Sequence, residues 1–378
     1  MNWGKMLKFA GISTGICLAL VAGVIVAYSQ MFVAPETVVR EPLVLMQHSV
    51  VGEFDSDIDE WEADFSEALA FVPEFVEEEW DEWQRKENFY TMMVLVLDDQ
   101  NNSDVLWIVS FDTENHVMNI LDVPRDTKVP HTPRDVKRIN AAYSNGRIRD
   151  GHDEGVRQAK WEIAWLIGFQ PDFYMIVPMQ MFARAVDEIF GGVTVHVPMR
   201  MEYYSPLQNL HINLSAGTQR LTGQQAVHFA RFRQSSDRQT LQIGTVRRGE
   251  HIFMLFEALA REAWGRMPGF LTQIPAILDM YERYARTNLG LDNLAYFAEA
   301  FLLNDVEFHY QRIPADYITR PRWYDVPILE YTIELVNTYI NPFTRDIEVI
   351  MPDEMPSLEE FFWDGEEDDE EDEEGEEE

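Results

Sequence analysis

Between residues 90 and 197, short apolar runs alternate with longer stretches of helical periodicity, and this alternation limits the chain to a mixed fold of strands and helices. Residues 90–97, 105–111 and 117–123 have the length and apolar character of buried strands, and the polar stretch 112–116 joins the last two as a hairpin. Residues 154–167 and 179–190 place apolar side chains at helical spacing and stop at Gly168 and at the Gly191-Gly192 pair. Residues 173–177 and 193–197 read as strands, and further helices are expected at 222–230, 246–263, 291–303 and 328–339. The pattern predicts an α/β fold: a three-layer α/β/α sandwich around a central mixed sheet.

The N-terminus adds a second constraint. Lys5 and Lys8 precede residues 9–35, which carry no charged side chain and are long enough to cross ~30 Å of hydrocarbon as one helix. The expected organisation is a cytoplasmic segment 1–8, a transmembrane helix 9–35, an acidic and aromatic lead-in 36–88, a folded domain 89–342 and an acidic tail 353–378. Positive charge before the run and Glu36 and Glu41 after it place the bulk of the chain outside the cytoplasm, in a single-pass cell-membrane protein. A cleaved signal peptide is the competing reading, but the run is longer than an ordinary signal core and no A-x-A site follows it. The tail is wholly Asp, Glu and Gly from residue 364 onward and has too little apolar surface to order itself.

Charge and cysteine usage exclude several functions. With 66 acidic against 30 basic residues, a net charge of -36 argues against nucleic acid as a partner, so an anionic ligand must meet a local basic cluster. The one cysteine, Cys17, excludes an intramolecular disulfide and a cysteine-rich zinc site.

Three segments concentrate charge at the ends of apolar runs, where α/β sheets build their sites. Asp98-Asp99, followed by Ser103-Asp104, offers oxygen ligands for Mg²⁺ or a base for a hydroxyl. Pro124-Arg125-Asp126-Thr127 follows a strand, with Arg138 and Asn140 a short loop further on, and a guanidinium there can meet phosphate bidentately. Arg231-Phe232-Arg233, then Arg238, then Arg247-Arg248, form a concentration of cations unusual in so acidic a chain. Alternation at Arg231 and Arg233 puts both guanidinia on one face of a strand, or splays them on a helix. Taken singly, each segment is more often a solvated loop or a structural ion pair than a site.

Their ordered combination resembles the LytR-CpsA-Psr family: an N-terminal anchor, the Asp and Ser-Asp turn, Pro-Arg-Asp-Thr, Arg138-Ile139-Asn140-Ala141-Ala142-Tyr143, Gly191-Gly192-Val193, Leu221-Thr222-Gly223-Gln224-Gln225-Ala226 and Arg231-Phe232-Arg233. The resemblance covers residues 91–259 and continues weakly to 339 through Arg312-Ile313-Pro314. It implies an extracytoplasmic phosphotransferase that moves a teichoic-acid-like or capsular glycopolymer from a polyprenyl-pyrophosphate carrier at the cytoplasmic membrane to peptidoglycan, assisted by Mg²⁺. By position, Asp99 or Asp98 and Asp104 would be the metal and base carboxylates. Arg125 would act at the reacting phosphate, and Arg138, Arg231, Arg233, Arg238, Arg247 and Arg248 would bind pyrophosphate, with Asn140 in support. Apolar stretches at 161–167, 175–182 and 252–259 suit either a lipid tunnel or ordinary core packing.

The chain departs from the family pattern after Arg233. Thr245 stands where a phosphate-binding arginine is usual, Gly249 and Glu250 stand in place of two glutamines, and Asn102 replaces an arginine before Ser-Asp. Arg238 or Arg247 is the candidate replacement. These departures keep two alternatives open: a homologue that binds lipid pyrophosphate or wall polymer without turnover, and a pyrophosphatase that passes the bond to water.

Overall fold

The structure, a computed structural model, describes residues 34–37, 83–129, 137–206, 210–235, 244–266, 271–318 and 323–352. Nearly all of the expected span at 9–35 and of the lead-in, the acidic tail, Arg238 and the side chains of Thr245 and Arg247 lie outside the described residues. Among the described residues no helix is long and apolar enough to cross a membrane.

A six-stranded mixed sheet forms the centre. Strands β1 (Phe89–Leu97), β2 (Ser103–Asp112) and β3 (Val117–Asp122) make an antiparallel meander. Strand β4 (Phe173–Pro178) lies parallel to β1. The later strands β9 (Arg286–Thr287) and β10 (Glu307–Arg312) close the two edges, giving the order β10-β3-β2-β1-β4-β9. Between β4 and β9 come α2 (Met179–Glu188), β5 (Val193–Val197), β6 (Met201–Ser205), β7 (Leu210–Leu214), β8 (Gly217–Leu221), α3 (Gly223–Arg231), α4 (Gly244–Gly265) and α5 (Ile274–Tyr284).

Both faces of the sheet are covered, as the apolar content of its strands requires. On one face Met93, Leu95, Leu106, Ile108 and Leu121 pack with Ile163, Leu166 and Ile167 of α1 (Ala142–Ile167) and with Val336, Ile340 and Phe343. On the other, Val94, Val96, Val105, Trp107 and Val109 meet Ile252, Phe253 and Phe256 of α4. The stretches 161–167 and 252–259 thus supply core side chains to opposite faces of the sheet. A second core lies among α2, α3, the paired strands β5–β8 and β6–β7, and Leu255 of α4, so α4 is shared by both cores.

Several features escaped the periodicity. Helix α1 begins twelve residues before the expected 154 and is broken at Asp150 and Gly151, whose backbones are not helical. Its first part packs so closely on its second that a Cβ on Gly146 would lie 2.4 Å from the Glu154 carbonyl oxygen. Near the other end, α6 (Leu291–Leu302) is followed by β10, the hairpin of β11 (Ala315–Ile318) with β12 (Tyr324–Pro327), and α7 (Leu329–Leu335). Helix α7 runs on into a π turn, Val336–Ile340. The wide turn leaves the Tyr339 carbonyl open, and the buried Ser110 and Asn119 side chains donate to it at 2.7 and 2.9 Å.

Candidate functional site

Strand direction gathers the site. Because β1, β3, β4 and β10 run the same way and β2 runs against them, the ends of β1, β3 and β10 and the start of β2 share one edge of the sheet. Asp98, Asp104, Arg125 and Arg312 therefore come from distant parts of the chain to one place.

The β1–β2 turn is tight. Asp98 Oδ1 accepts the amides of Gln100 at 2.8 Å and Asn102 at 2.9 Å, and Asn101 takes a left-handed conformation. Asp98 therefore closes the turn, while Asp99 is exposed and accepts from Gln180 Nε2 of α2 at 3.1 Å. Ser144 of α1 donates to Asn102 Oδ1 at 3.1 Å, tying α1 to the same turn.

Asp104, only 6% exposed, is the focus. Its Oδ1 pairs with Arg125 Nη1 and, at 3.5 Å, with Arg248 Nη1, while its backbone oxygen accepts from Arg248 Nη2 at 2.7 Å. Thr127 caps the Pro124 carbonyl through its amide at 3.0 Å and its hydroxyl at 2.6 Å, which folds the Pro-Arg-Asp-Thr turn so that Arg125 reaches Asp104. Arg125 Nε is buried without a hydrogen bond and lies 3.7 Å from Asp126. Arg138 pairs with Asp126 at 3.3 Å and donates to the Trp323 carbonyl at 2.7 Å. Asn140 is buried, and its amide donates to the Arg125 carbonyl at 3.2 Å.

The third segment resolves as a helix end. Arg231 is the last residue of α3, Phe232 is extended and fully buried in the second core, and Arg233 follows beside the sheet edge. Phe232 is the anchor that holds the two arginines. Burial, then the nearby Arg125, pushes the Arg233 guanidinium down, with Asp104 and Asp126 opposing. Burial pushes Arg248 down to about 10, with Arg233 and Arg125 adding to the effect and Asp104 and Asp122 opposing it; at neutral pH it stays charged. Arg125 and Arg248 thus pair with Asp104, Arg125 also lies against Asp126, and Arg233 is close enough to both carboxylates and to Arg125 for their charges to act on it. Such a surplus of desolvated guanidinium suits a dianionic phosphate group.

The expected residues therefore divide. Asp104, Arg125, Arg233 and Arg248 are brought together, with Arg138 and Asn140 one residue removed and Arg231 at the margin. Asp98 is engaged in its turn and Asp99 points to α2. No group of three Asp, Glu, His or Cys side chains suited to a metal occurs among the described residues. Sequence reasoning missed Asp122 and Tyr310, whose carboxylate and hydroxyl meet at 3.0 Å beside the site, and Arg312, which it noted only as part of Arg-Ile-Pro. Asp122 was visible as a carboxylate closing a strand that reads apolar, but Tyr310 and Arg312 lie almost two hundred residues away.

Comparison with known proteins bears on this arrangement. A segment of 143 residues, 37% of this chain and 34% of the relative, is 32% identical to the polyisoprenyl-teichoic acid–peptidoglycan teichoic acid transferase TagV of Bacillus subtilis. The regulatory protein MsrR of Staphylococcus aureus is 25% identical over 193 residues, 50% of this chain and 52% of its own length. The matches thus span about a third and a half of these relatives. Crystallographic B. subtilis TagV shares the fold with a TM-score of 0.51 at 21% identity, over 66% of this chain and 95% of that one. TagT bound to LI-WTA does so with a TM-score of 0.51 at 16% identity, over 67% and 89%. The LytR_cpsA_psr family model matches residues 80–331, which include the whole arginine and carboxylate cluster, and the chain belongs to the LytR-CpsA-Psr family.

Proposed function

We propose that the site grips the pyrophosphate of a polyprenyl-linked glycopolymer and that the chain transfers this glycopolymer to peptidoglycan. The observation that carries the reading is the gathering of Arg125, Arg233 and Arg248 around the carboxylates of Asp104 and Asp126. Membership of a family that includes TagV, a teichoic acid transferase by name, supports the same reading.

In the proposed reaction a peptidoglycan hydroxyl attacks the phosphorus that carries the glycan. A new P–O bond forms, the bridging P–O bond breaks, and polyprenyl phosphate leaves with the bridging oxygen. Phosphoryl transfer of this kind is governed by positioning and charge stabilisation, which fixed guanidinia supply in a site of low dielectric. Arg125 and Arg233 would hold the reacting phosphate and Arg248 the leaving one. Asp104, freed from Arg125 as phosphate takes its place, would accept the hydroxyl proton.

Asp99 is turned to Gln180 of α2, so Mg²⁺ at this edge would be held by Asp104 and otherwise by phosphate oxygens and water. Bound there, the ion would add charge neutralisation at the pyrophosphate. The uncharged run at 9–35 would hold the domain outside the cytoplasmic membrane, where both substrates reside.

A second reading, binding without turnover, is favoured by the engagement of Asp98 in its turn, which leaves fewer carboxylates for metal. The test is transfer of a labelled polyprenyl-pyrophosphate glycan to peptidoglycan oligomers in Mg²⁺ by the wild type, Arg125→Ala and Asp104→Ala. We expect transfer by the wild type and a loss of about a hundredfold or more in each variant. Tight donor binding without any product would establish the second reading, and phosphate release without a peptidoglycan product would indicate a pyrophosphatase.

A further inference from the structure

The hairpin of β11 and β12 leaves two aromatic rings in water beside the site. Trp323 is 46% exposed and is the only exposed tryptophan among the described residues; Tyr317 is 53% exposed, and the two rings meet at 5.2 Å between centroids and an angle of 41°. Tyr317 lies opposite Asp325 in the hairpin and Trp323 comes two residues before Asp325, so both rings stand on one face. Where the other described tryptophans are buried or half-buried, this pair forms a small open apolar platform.

The platform is fastened to the phosphate site through the backbone. The Asp325 amide donates to the Asp126 carbonyl at 3.0 Å and the Lys128 amide donates to the Asp325 carbonyl at 2.8 Å, so β12 pairs with the Pro-Arg-Asp-Thr turn. The Trp323 carbonyl accepts from Arg138 Nη2 at 2.7 Å and Nε at 3.2 Å, and Arg138 pairs with Asp126, which lies against Arg125. Trp323 Nε1 donates to Asp325 Oδ1 at 3.3 Å, which sets the plane of the indole. A continuous series of contacts therefore runs from Arg248 through Asp104, Arg125, Asp126 and Arg138 to Trp323. Arg248 and the platform stand at its two ends.

We propose that Tyr317 and Trp323 form a stacking platform for a sugar ring of the peptidoglycan glycan strand, the acceptor of the transfer. A pyranose packs its C–H face on aromatic rings and keeps its hydroxyl rim in water, so an open, half-exposed pair suffices, whereas a lipid chain or an apolar helix needs a closed groove. The assignment to the acceptor follows from in-line displacement, in which the incoming hydroxyl and the leaving phosphate lie on opposite sides of the reacting phosphorus. The platform lies at the opposite end of the series of contacts from Arg248, which holds the leaving phosphate, and Asp104, which takes the hydroxyl proton, stands between them. The identity of the glycan rests on the transfer reading given above; the platform itself does not.

The test is calorimetric binding of a soluble peptidoglycan tetrasaccharide, free of lipid and phosphate, to the full-length protein as wild type, Trp323→Ala, Tyr317→Ala and Tyr204→Ala. The wild type is expected to bind, and loss of either platform ring to weaken binding about tenfold. Tyr204→Ala removes a ring that is 63% exposed on β6, outside the hairpin, and should bind as the wild type does. No wild-type binding, platform variants with wild-type affinity, or equal weakening in all three variants overturns the inference. If Trp323→Ala does not fold because the hydrogen bond to Asp325 is lost, Tyr317→Ala, which keeps that bond, decides alone. Transfer kinetics separate the two sources of sugar. A raised acceptor KM with the donor KM unchanged supports the assignment, whereas a raised donor KM with the acceptor KM unchanged places the donor's sugar on the platform and overturns it. A wild type that binds the tetrasaccharide through these rings but transfers nothing overturns the transfer reading and leaves the platform standing as a glycan site.

Discussion

A buried carboxylate oxygen without a donor is costly, and Asp325 carries one. It is 2% exposed, its Oδ1 accepts from Trp323 Nε1 at 3.3 Å, and its Oδ2 has no hydrogen-bond partner. Burial, and then the adjacent Asp126, pushes its carboxyl up, which means that ionising it works against the fold. A raised folded pKa contributes stability that is complete below the ordinary value near 4 and is lost as pH rises through the folded value. Asp325→Asn keeps the acceptor for Trp323 and removes the charge, so at pH 7 it should be about 1 kcal/mol more stable, with a Tm higher by roughly 2–4 °C. The gain should disappear near pH 4, where the wild-type carboxyl is already protonated; a thermal scan showing the same gain at both pH values would refute the account. The same scale shows why the sequence named Arg125 and Asp104 but not Asp325. The former sit in motifs whose residue types announce phosphate chemistry, whereas Asp325 lies in a polar hairpin that gives no sign of burial.

At the scale of elements, apolar runs were read well because burial and period coincide in them. Strands β1 to β5 and helices α2, α3, α4 and α6 lie within about two residues of their expected bounds. The first part of α1, with its Ser, Asn and Gly residues, has no apolar stripe, and it is held by contact with its own second part at Gly146 and Gly155. Strand β10 reads as polar, Glu-Phe-His-Tyr-Gln-Arg, and is recruited by parallel pairing with β3 and by the ion pair of Arg312 with Asp122. Close approach also governs α2 against α3. Thr222 and Gln225 form a reciprocal cap, and a Cβ on Gly223 would lie 1.9 Å from the Ala183 carbonyl oxygen and 2.6 Å from its carbon. Because the obstacle is backbone, Gly223→Ala must separate the helices, at a cost of about 2–3 kcal/mol in a denaturant midpoint. Gly265→Ala, which would meet nothing within 4 Å, should be neutral or slightly stabilising. Equal losses in both variants would place the effect in helix propensity and not in the α2–α3 contact.

The whole molecule combines a strongly acidic chain with a buried cationic site, and the two act on an anionic ligand at different ranges. Composition made the need for a local basic cluster legible, but not its assembly, because Asp104 and Arg248 are 144 residues apart and meet only when α4 covers the sheet. The net charge of -36, to which the tail from 364 to 378 contributes only acidic residues and glycine, repels pyrophosphate from a distance. That long-range repulsion is screened by salt, whose Debye length is about 8 Å at physiological ionic strength, whereas the contacts at Arg125 and Arg248 are largely desolvated and screened less. The association rate of pyrophosphate should therefore rise as salt increases from about 10 mM to about 150 mM, the reverse of the usual behaviour of a basic site. Stopped-flow measurement over that range decides the matter. A protein ending at residue 352 should associate faster at low salt and converge with the full chain at high salt. If the rate instead falls with salt in both proteins, the arginine cluster projects its field past the acidic surface and the tail plays no part in ligand approach.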